Sequence, residues 1–111
     1  MHNPNGSILE HAIEIARLAR PLVDAIQRRD RDLASQVKRA LNSTALNSAE
    51  AQGNAGGNTR MRLESALGSV YEARTGFRLA IALGYISQAA ANEVLESLHR
   101  LGGPVFGALR K

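Results

Sequence analysis

The sequence predicts an all-α protein with the architecture of an up-and-down four-helix bundle. Four segments carry apolar residues at spacings of three and four, which is the period of an amphipathic helix. The connections between these segments are short, and no segment alternates polar and apolar residues as a strand does. The length of 111 residues corresponds to one domain, residues 1–111, in which we expect residues 1–6 to be flexible.

The composition narrows the class of protein further. Hydrophobic residues make up 44% of the chain but aromatic residues only 4%, so the core is thin and assembly into oligomers is expected. The absence of cysteine excludes disulfides and thiolate metal sites. With no signal peptide and no apolar run long enough to span a bilayer, a cytoplasmic protein is expected. The net charge of +4 favours anionic partners, nucleic acid above all.

The first helix is predicted to begin at Ser7, because a hydroxyl followed three residues later by Glu10 fits a capping box. Pro21 lies inside the helical pattern and predicts a kink or break near residues 17–20; the unbroken apolar phase favours a kink. The positions predicted to face inward are Leu9, Ala12, Ile13, Ala16, Leu18, Ala19, Leu22, Val23 and Ile26.

The second helix follows a charged corner, where Asp30 is predicted to cap it and Asp32 to lie in its first turn. Its predicted inward positions are Leu33, Ala34, Val37, Ala40, Leu41 and Ala45. The later part of this helix, residues 42–48, is rich in small polar side chains that are poor helix formers. Such a face indicates either tight packing with satisfied side chains or a polar seam between subunits.

The third helix follows the glycine-rich linker at residues 52–58, which lacks the Gly-Lys-Ser/Thr ending of a phosphate-binding loop and is best interpreted as a hinge. Asn58 or Thr59 is predicted to cap a helix of about 25 residues. Small residues recur along it and predict a close helix neighbour: Ala66, Ala73 and Ala80, with Gly68 and Gly76. The remaining inward positions are Leu63, Leu67, Val70, Phe77, Ile81 and Leu83.

The third helix is predicted to end at Gly84 in the left-handed conformation, after which Tyr85 and Ile86 fold back onto the core. Ser87 is predicted to cap the fourth helix. Residues 102–104, Gly-Gly-Pro, interrupt its pattern and predict a bend. The predicted inward positions are Val94, Leu95, Leu98, Leu101, Val105, Phe106 and Leu109.

Three short motifs resemble a family of bacterial four-helix bundle proteins. Residues 47–53, NSAEAQG, resemble its Asn-Ile-Ala-Glu-Gly-x-Gly; residues 66–72, ALGSVYE, its Ala-x-Gly-Ser-x-x-Glu; and residues 83–87, LGYIS, its Leu-Gly-Tyr-Ile-Ser. Residues 36–40, QVKRA, are similar to its Gln-Leu-Arg-Arg-Ala. The residues assigned structural roles by these motifs are Asn47, Glu50, Gly53, Gly68, Ser69, Glu72, Gly84 and Tyr85. The chain departs from the pattern at Ala51 and Asn54, where the family has glycine and a basic residue.

This family includes proteins encoded in intervening sequences of 23S ribosomal RNA genes and the accessory variability determinant of diversity-generating retroelements. The resemblance covers about residues 33–109. It implies an up-and-down bundle that assembles as a homopentameric barrel, with no established enzymatic activity. In the retroelement branch, it implies binding to nucleic acid and to a reverse transcriptase through a basic surface.

Candidate catalytic groups are few. Glu50 and Glu72 could form an acid–base or metal pair, or could instead pair structurally with Arg39 or Arg74. Glu96 and His99 form one Glu-x-x-His, whereas di-iron bundles need two. We therefore predict no enzyme, no metal and no cofactor, and we interpret Ser69 as a packing residue.

The remaining candidate site is a basic surface. Its candidate nucleic-acid-binding residues are Arg28, Arg29, Arg31, Lys38, Arg39, Arg60, Arg62, Arg74 and Arg78. With almost no aromatic residues among them, they would contact phosphates rather than stack on bases. Asp30, Asp32 and Glu64 interrupt these clusters, as on ordinary solvated helix faces.

The functional hypothesis is a non-enzymatic oligomeric scaffold that presents a basic surface to RNA or DNA, with a possible protein partner. The alternative is a protein–protein interaction module with no nucleic-acid role. Five copies of a +4 chain would carry a charge of +20, which would strengthen the field around the assembly.

Overall fold

The computed structural model describes residues 7–53 and 58–109, which form four long helices and no strand. These helices are α1 (Ile8–Arg29), α2 (Arg31–Gly53), α3 (Thr59–Ala82) and α4 (Gln88–Arg100). A π-helical turn, Leu101–Val105, joins α4 to the short α5, Phe106–Leu109. Residues 1–6, which were predicted to be flexible, lie outside what the structure describes. So do most of the linker and the side chains of Val105 and Leu109.

The helices pack as an up-and-down bundle, as predicted. Helix α2 packs along both α1 and α3, and α4 closes the bundle against α1 and α3. The largest fully buried apolar side chains come from all four long helices, from the π-helical turn and from α5. They are Ile15, Ile26, Val37, Leu63, Val70, Phe77, Val94, Leu98, Leu101 and Phe106.

Three of the predicted helix starts are capped by a side-chain oxygen. The Ser7 hydroxyl accepts a hydrogen bond from the Glu10 amide at 3.0 Å. The Asp30 carboxylate accepts from the Leu33 amide at 2.9 Å, and the Ser87 hydroxyl from the Ala90 amide at 3.0 Å. Asn58 occupies the cap position of α3, but its side chain makes no capping hydrogen bond. Each capping bond satisfies an amide that has no partner within its helix.

The end of α3 is also as predicted. Gly84 has φ of +80°, the left-handed region that glycine tolerates best. The Tyr85 amide donates to the Ala80 carbonyl at 2.8 Å and the Gly84 amide to the Ile81 carbonyl at 3.0 Å, which together form a Schellman motif. Tyr85 and Ile86 then pack against the core.

Three positions predicted to face inward are exposed. Helix α1 runs unbroken through Pro21, and its buried stripe passes through Ile8 and Ile15. Ile13, 39% exposed, and Ala16 therefore lie to the side of that stripe. Leu83 is 54% exposed because it lies at the C-cap, after the last turn that packs on the core.

The small residues of α3 divide between its two faces. Ala66, Ala73 and Ala80 are fully buried, and a Cβ added to Gly76 would clash with the Val37 side chain of α2. The predicted close approach of a neighbouring helix is therefore confirmed for these four positions. Gly68 differs, since a Cβ built there would have no atom within 4 Å.

The end of α4 forms a π-helical turn where a bend was predicted. A Cβ on Gly102 would lie 3.0 Å from Val70 Cγ1 and 3.4 Å from Leu67 Cδ1, so this turn also approaches α3 closely. Pro104 supplies no amide hydrogen to the helical ladder. The wider π turn keeps the chain helical, and Phe106 beyond it is fully buried.

We predict opposite effects on stability for alanine at the two glycines of α3. Gly76→Ala should lower the free energy of unfolding by about 1–3 kcal/mol, because the methyl group must displace Val37. Gly68→Ala should raise it by about 0.5–1 kcal/mol, because it only improves helix propensity. Urea unfolding followed by circular dichroism measures both. Equal effects at the two positions would show that α2 does not constrain Gly76.

Candidate nucleic-acid interface

The nine candidate cations do not meet at one site. Arg28 and Arg29 end α1, and Arg31, Lys38 and Arg39 lie on α2. Arg60 and Arg62 are in the first turn of α3, whereas Arg74 and Arg78 lie one turn apart further along it. The structure therefore separates a group at the α1–α2 corner from two groups on α3.

The corner between α1 and α2 contains a shallow, open depression of about 440 Å³. Arg28 and Arg31 line it together with Asp24 and Gln27. Two guanidinium groups on one concave surface can donate several hydrogen bonds to a single anionic group, in the fork geometry that suits phosphate.

Two more cations continue from this depression along α2. Lys38 and Arg39 follow Arg31 by seven and eight residues, which places all three on the outward side of the helix. Seven residues span about 10 Å along the axis. We call Arg28, Arg31, Lys38 and Arg39 the basic strip. All four are exposed, and in residues 7–53 and 58–109 none of them forms an ion pair.

Arg29, between two members of the corner group, has a structural contact instead. Its guanidinium lies 5.5 Å from the centre of the Tyr85 ring, a cation–π distance. The Tyr85 hydroxyl donates to Asp30 at 3.2 Å, and Asp30 also caps α2. Desolvation, then the hydrogen bond to Asp30 and the charge of that carboxylate, raise the pKa of Tyr85 above 10.0. This cluster fixes the α3–α4 connection to the α1–α2 corner.

Arg62 also contacts another helix of the bundle. Its Nη1 lies 3.4 Å from Asn47 Oδ1, and Asn47 donates to the Ser43 carbonyl at 3.0 Å. The Ser69 hydroxyl donates to Ser43 Oγ at 2.7 Å, so α2 and α3 share a polar contact. Asn47 and Ser69, two of the motif residues, thus have roles within the bundle.

The small polar side chains of α2 are satisfied inside the chain. Buried Thr44 donates to the Ala40 carbonyl at 2.8 Å, and buried Ser48 to the Thr44 carbonyl at 2.7 Å. Of the two interpretations open from sequence, tight intramolecular packing is therefore the one observed for these residues.

The other two α3 cations, Arg74 and Arg78, differ in exposure. Arg78 is exposed, whereas Arg74 is half-buried and its Nε is buried without a hydrogen-bond partner in the structure. Both lie on α3, whereas the strip lies on α1 and α2. Arg60 is exposed in the first turn of α3.

The motif glutamates do not form the pairs considered from sequence. Glu50 and Glu72 are exposed, and in the described part of the chain neither has an ion pair with Arg39 or Arg74. Because Ser43 faces Ser69, Glu72 lies opposite the turn of α2 near Ala40, roughly 15 Å along the axis from Glu50. This separation is too large for a shared acid–base or metal site.

No group of three or more potential metal ligands of the His, Asp or Glu type occurs among the described residues. Glu96 and His99 are exposed on α4. His11 lies within α1, and its Nε2 is 3.0 Å from Ser97 Oγ of α4. No sequence pattern pointed to this contact, because it depends on how α1 and α4 pack.

The fold and the basic strip define a small helical-bundle protein, and no described helix is long and apolar enough to cross a membrane. The family model of the 23S rRNA-intervening sequence protein matches residues 6–105, and the chain belongs to that family. The resemblance drawn from the three motifs is thus confirmed at the level of the family. A search of curated proteins finds no match.

A solved structure shares the fold. It is the 1.70 Å crystal structure of a protein with unknown function from the S23 ribosomal protein family of Bacteroides thetaiotaomicron. The TM-score is 0.82, and the alignment covers 94% of this chain and 98% of that one. The sequences are 17% identical, so the likeness concerns the fold.

We predict that Tyr85→Phe lowers the free energy of unfolding, since it removes the hydrogen bond to Asp30 and leaves the ring over which Arg29 lies. The raised pKa means that the native state keeps the phenol proton longer than the unfolded state does. This contribution is therefore complete below pH 10.0 and is lost as the pH rises through the native pKa.

Urea unfolding at about pH 8 and about pH 11 measures both effects. Exposed Tyr71 provides the control, because Tyr71→Phe should leave the unfolding free energy at the lower pH unchanged. If Tyr85→Phe and Tyr71→Phe behave alike, the Asp30 hydrogen bond does not stabilise the corner.

Proposed function

We propose that this protein is a non-enzymatic oligomeric binding module whose basic strip contacts the phosphates of nucleic acid. The proposal is supported chiefly by one observation. Arg28 and Arg31 line one depression, and Lys38 and Arg39 extend from it along the outward side of α2. The description of the family, by itself, supports only the coarser statement that this is a 23S rRNA-intervening sequence protein.

The charges of the strip favour a polyanion. Its four cations share the surface with the lining carboxylate of Asp24 and with exposed Asp32 in the first turn of α2, so the local balance is +2. Asp30, at the same corner, is already engaged by Tyr85 and the Leu33 amide of α2. Exposed cations on a helix contact phosphates, which are the same at every base pair. Such contacts therefore suit binding that is independent of the nucleic-acid sequence.

The aromatic residues favour contact with phosphates over stacking on bases. Phe77 and Phe106 are fully buried, and Tyr85 is held by Asp30 and Arg29. The exposed Tyr71 lies on α3, whereas the strip lies on α1 and α2. A surface without available rings engages a duplex or folded backbone rather than splayed single-stranded bases.

Assembly is part of the proposal. A homopentamer, which the family resemblance implies, would repeat the strip five times on one particle. Repetition of a modest patch strengthens binding to a long polyanion, because each engaged copy raises the local concentration of the next.

We predict that fluorescence anisotropy detects binding of duplex RNA and duplex DNA that weakens steeply with salt. Four phosphate contacts per chain correspond to a slope of log K against log salt of about −3.6. The variant Arg31→Gln should reduce the magnitude of this slope by about 1. Arg100→Gln, an exposed cation on α4, is the matched control and should leave affinity close to wild type.

Two outcomes would contradict the proposal. One is the absence of binding at low salt to either duplex. The other is an equal loss of affinity in Arg100→Gln and in the strip variant, which would indicate a diffuse charge effect with no role for the α1–α2 corner. A protein-only interaction module would then be the better description.

A further inference from the structure

Arg74 is a cation that the bundle half-buries without supplying an acceptor for it. Its Nε atom is buried and has no hydrogen-bond partner, and in the described part of the chain Arg74 takes part in no ion pair. Two other arginines that lie against the bundle do have contacts, since Arg29 lies over Tyr85 and Arg62 reaches Asn47. Burying part of a charged group is costly unless an acceptor compensates it. An anionic group from outside the chain would supply that acceptor.

Arg74 lies on the side of α3 that borders α4. A Cβ on Gly102 would lie 3.0 Å from Val70 Cγ1, so Val70 faces the end of α4. Arg74 follows Val70 by one turn and therefore lies on the same side of α3. The short connection between the two helices makes them antiparallel, so the α4 residues opposite Arg74 precede Gly102. His99, which is exposed, lies one turn before Gly102 and borders the same groove.

The α3 edge of this groove carries a second cation and an aromatic ring. Arg78 follows Arg74 by four residues and Tyr71 precedes it by three, so all three are neighbours on the helix surface. Arg78 is exposed, and Tyr71 is 53% exposed. The three other phenylalanine and tyrosine residues of the chain are buried or half-buried. We call Tyr71, Arg74, Arg78 and His99 the Arg74 groove. It combines cations with an exposed ring, whereas the basic strip has no such ring.

The charges of the Arg74 groove favour an anion. Arg74, Arg78 and His99 can all donate N–H hydrogen bonds, and two guanidinium groups one turn apart match the oxygens of a phosphate group. Glu96 is exposed on α4 one turn before His99, and in the described residues it forms no ion pair with Arg74. The two guanidinium groups outnumber this carboxylate, so the local charge is positive.

We propose that the Arg74 groove binds an unpaired nucleotide, with the phosphate on Arg74 and Arg78 and the base stacked on Tyr71. A phosphate ion would use only the guanidinium groups, and an apolar ligand would use only the ring, whereas a nucleotide uses both. Every base has a π face, so stacking on Tyr71 requires no particular base sequence. The ligand differs from the duplex backbone expected at the basic strip, so the inference goes beyond the proposed function and does not rest on it.

Fluorescence anisotropy of a short labelled oligoadenylate at low salt tests the proposal. The wild-type protein should bind it, and Tyr71→Ala should weaken binding about tenfold, because the stacked base loses its ring. Tyr71→Phe keeps the ring and should retain the wild-type affinity. Arg74→Gln should weaken binding and lower its salt dependence. Arg20→Gln, which removes an exposed cation of α1, is the matched control and should bind like the wild type.

Three results of this experiment would overturn the proposal. The first is the absence of oligoadenylate binding by the wild-type protein at low salt. The second is an equal loss of affinity in Tyr71→Ala and Tyr71→Phe, which would exclude stacking on the ring. The third is a wild-type affinity in Arg74→Gln. Far-UV circular dichroism of each variant should show unchanged helix content, because both changes lie at the exposed edge of α3.

Tyrosine fluorescence gives a direct measurement at the ring. The chain has two tyrosines and no tryptophan, so Tyr85→Phe leaves Tyr71 as the sole fluorophore. After correction for absorbance, adenosine monophosphate or the oligoadenylate should quench it in a saturable way, and comparison of the two shows whether a free nucleotide suffices. Ribose phosphate and inorganic phosphate should not quench it, because they carry no base. Saturable quenching by inorganic phosphate, or a ring that acrylamide cannot reach in the ligand-free protein, would contradict the proposal.

The two binding surfaces can be tested separately. Arg31→Gln in the basic strip should weaken duplex binding and leave oligoadenylate binding close to that of the wild type. Arg74→Gln should have the opposite pattern. Loss of oligoadenylate binding in Arg31→Gln, equal to the loss in Arg74→Gln, would overturn a separate nucleotide site. The absence of duplex binding would remove the basic strip, and oligoadenylate binding that depends on Tyr71 would still support the Arg74 groove.

Discussion

The close approach of α2 and α3 at Gly76 is the constraint on which the bundle depends. Val37 occupies the space that any side chain at position 76 would need, and Ala73 and Ala80 are fully buried on the same side of α3. Small residues bring the backbones together, and dispersion contacts then replace the aromatic area that this sequence lacks. The short distance between α2 and α3 also lets the Ser69 hydroxyl donate to Ser43 Oγ. Serine side chains are short, so they could not meet across a wider helix pair.

The buried polar side chains of α2 find their hydrogen-bond partners within this tightly packed bundle. Thr44 and Ser48 are buried, and both donate to carbonyls one turn earlier in α2. Buried hydroxyls that donate within their own helix cost little, because they leave no donor unsatisfied. At the opposite end of the bundle, Tyr85 joins Asp30 and Arg29, so the α3–α4 connection is anchored where α1 meets α2. Arg28 and Arg31, which flank Arg29 and Asp30 in the chain, line the depression.

The outward sides of α2 and α3 differ in chemical character. The outward side of α2 carries Arg31, Lys38 and Arg39 of the basic strip. The exposed side of α3 instead carries the large apolar side chains Met61, Tyr71 and Leu79. Repetition of the strip in an assembly, as proposed, would strengthen binding to a long polyanion without any change in the strip itself.

The sequence by itself determined the helices, the caps of α1, α2 and α4, the glycine stop of α3 and the family. These features depend on local spacing, because Ser7, Asp30, Gly84 and Ser87 act within one turn of their own positions. Only the tertiary structure decided which cations remain available. Arg29 and Arg62 have the same chemistry as Arg31 in the sequence, yet Tyr85 and Asn47 contact them. Those partners are more than a dozen residues away along the chain, and helix packing alone brings them together. The two glycines of α3 also differ only in the tertiary structure. Gly76 packs against Val37 of α2, which leaves no space for a side chain, whereas Gly68 lies on the surface with open space around it.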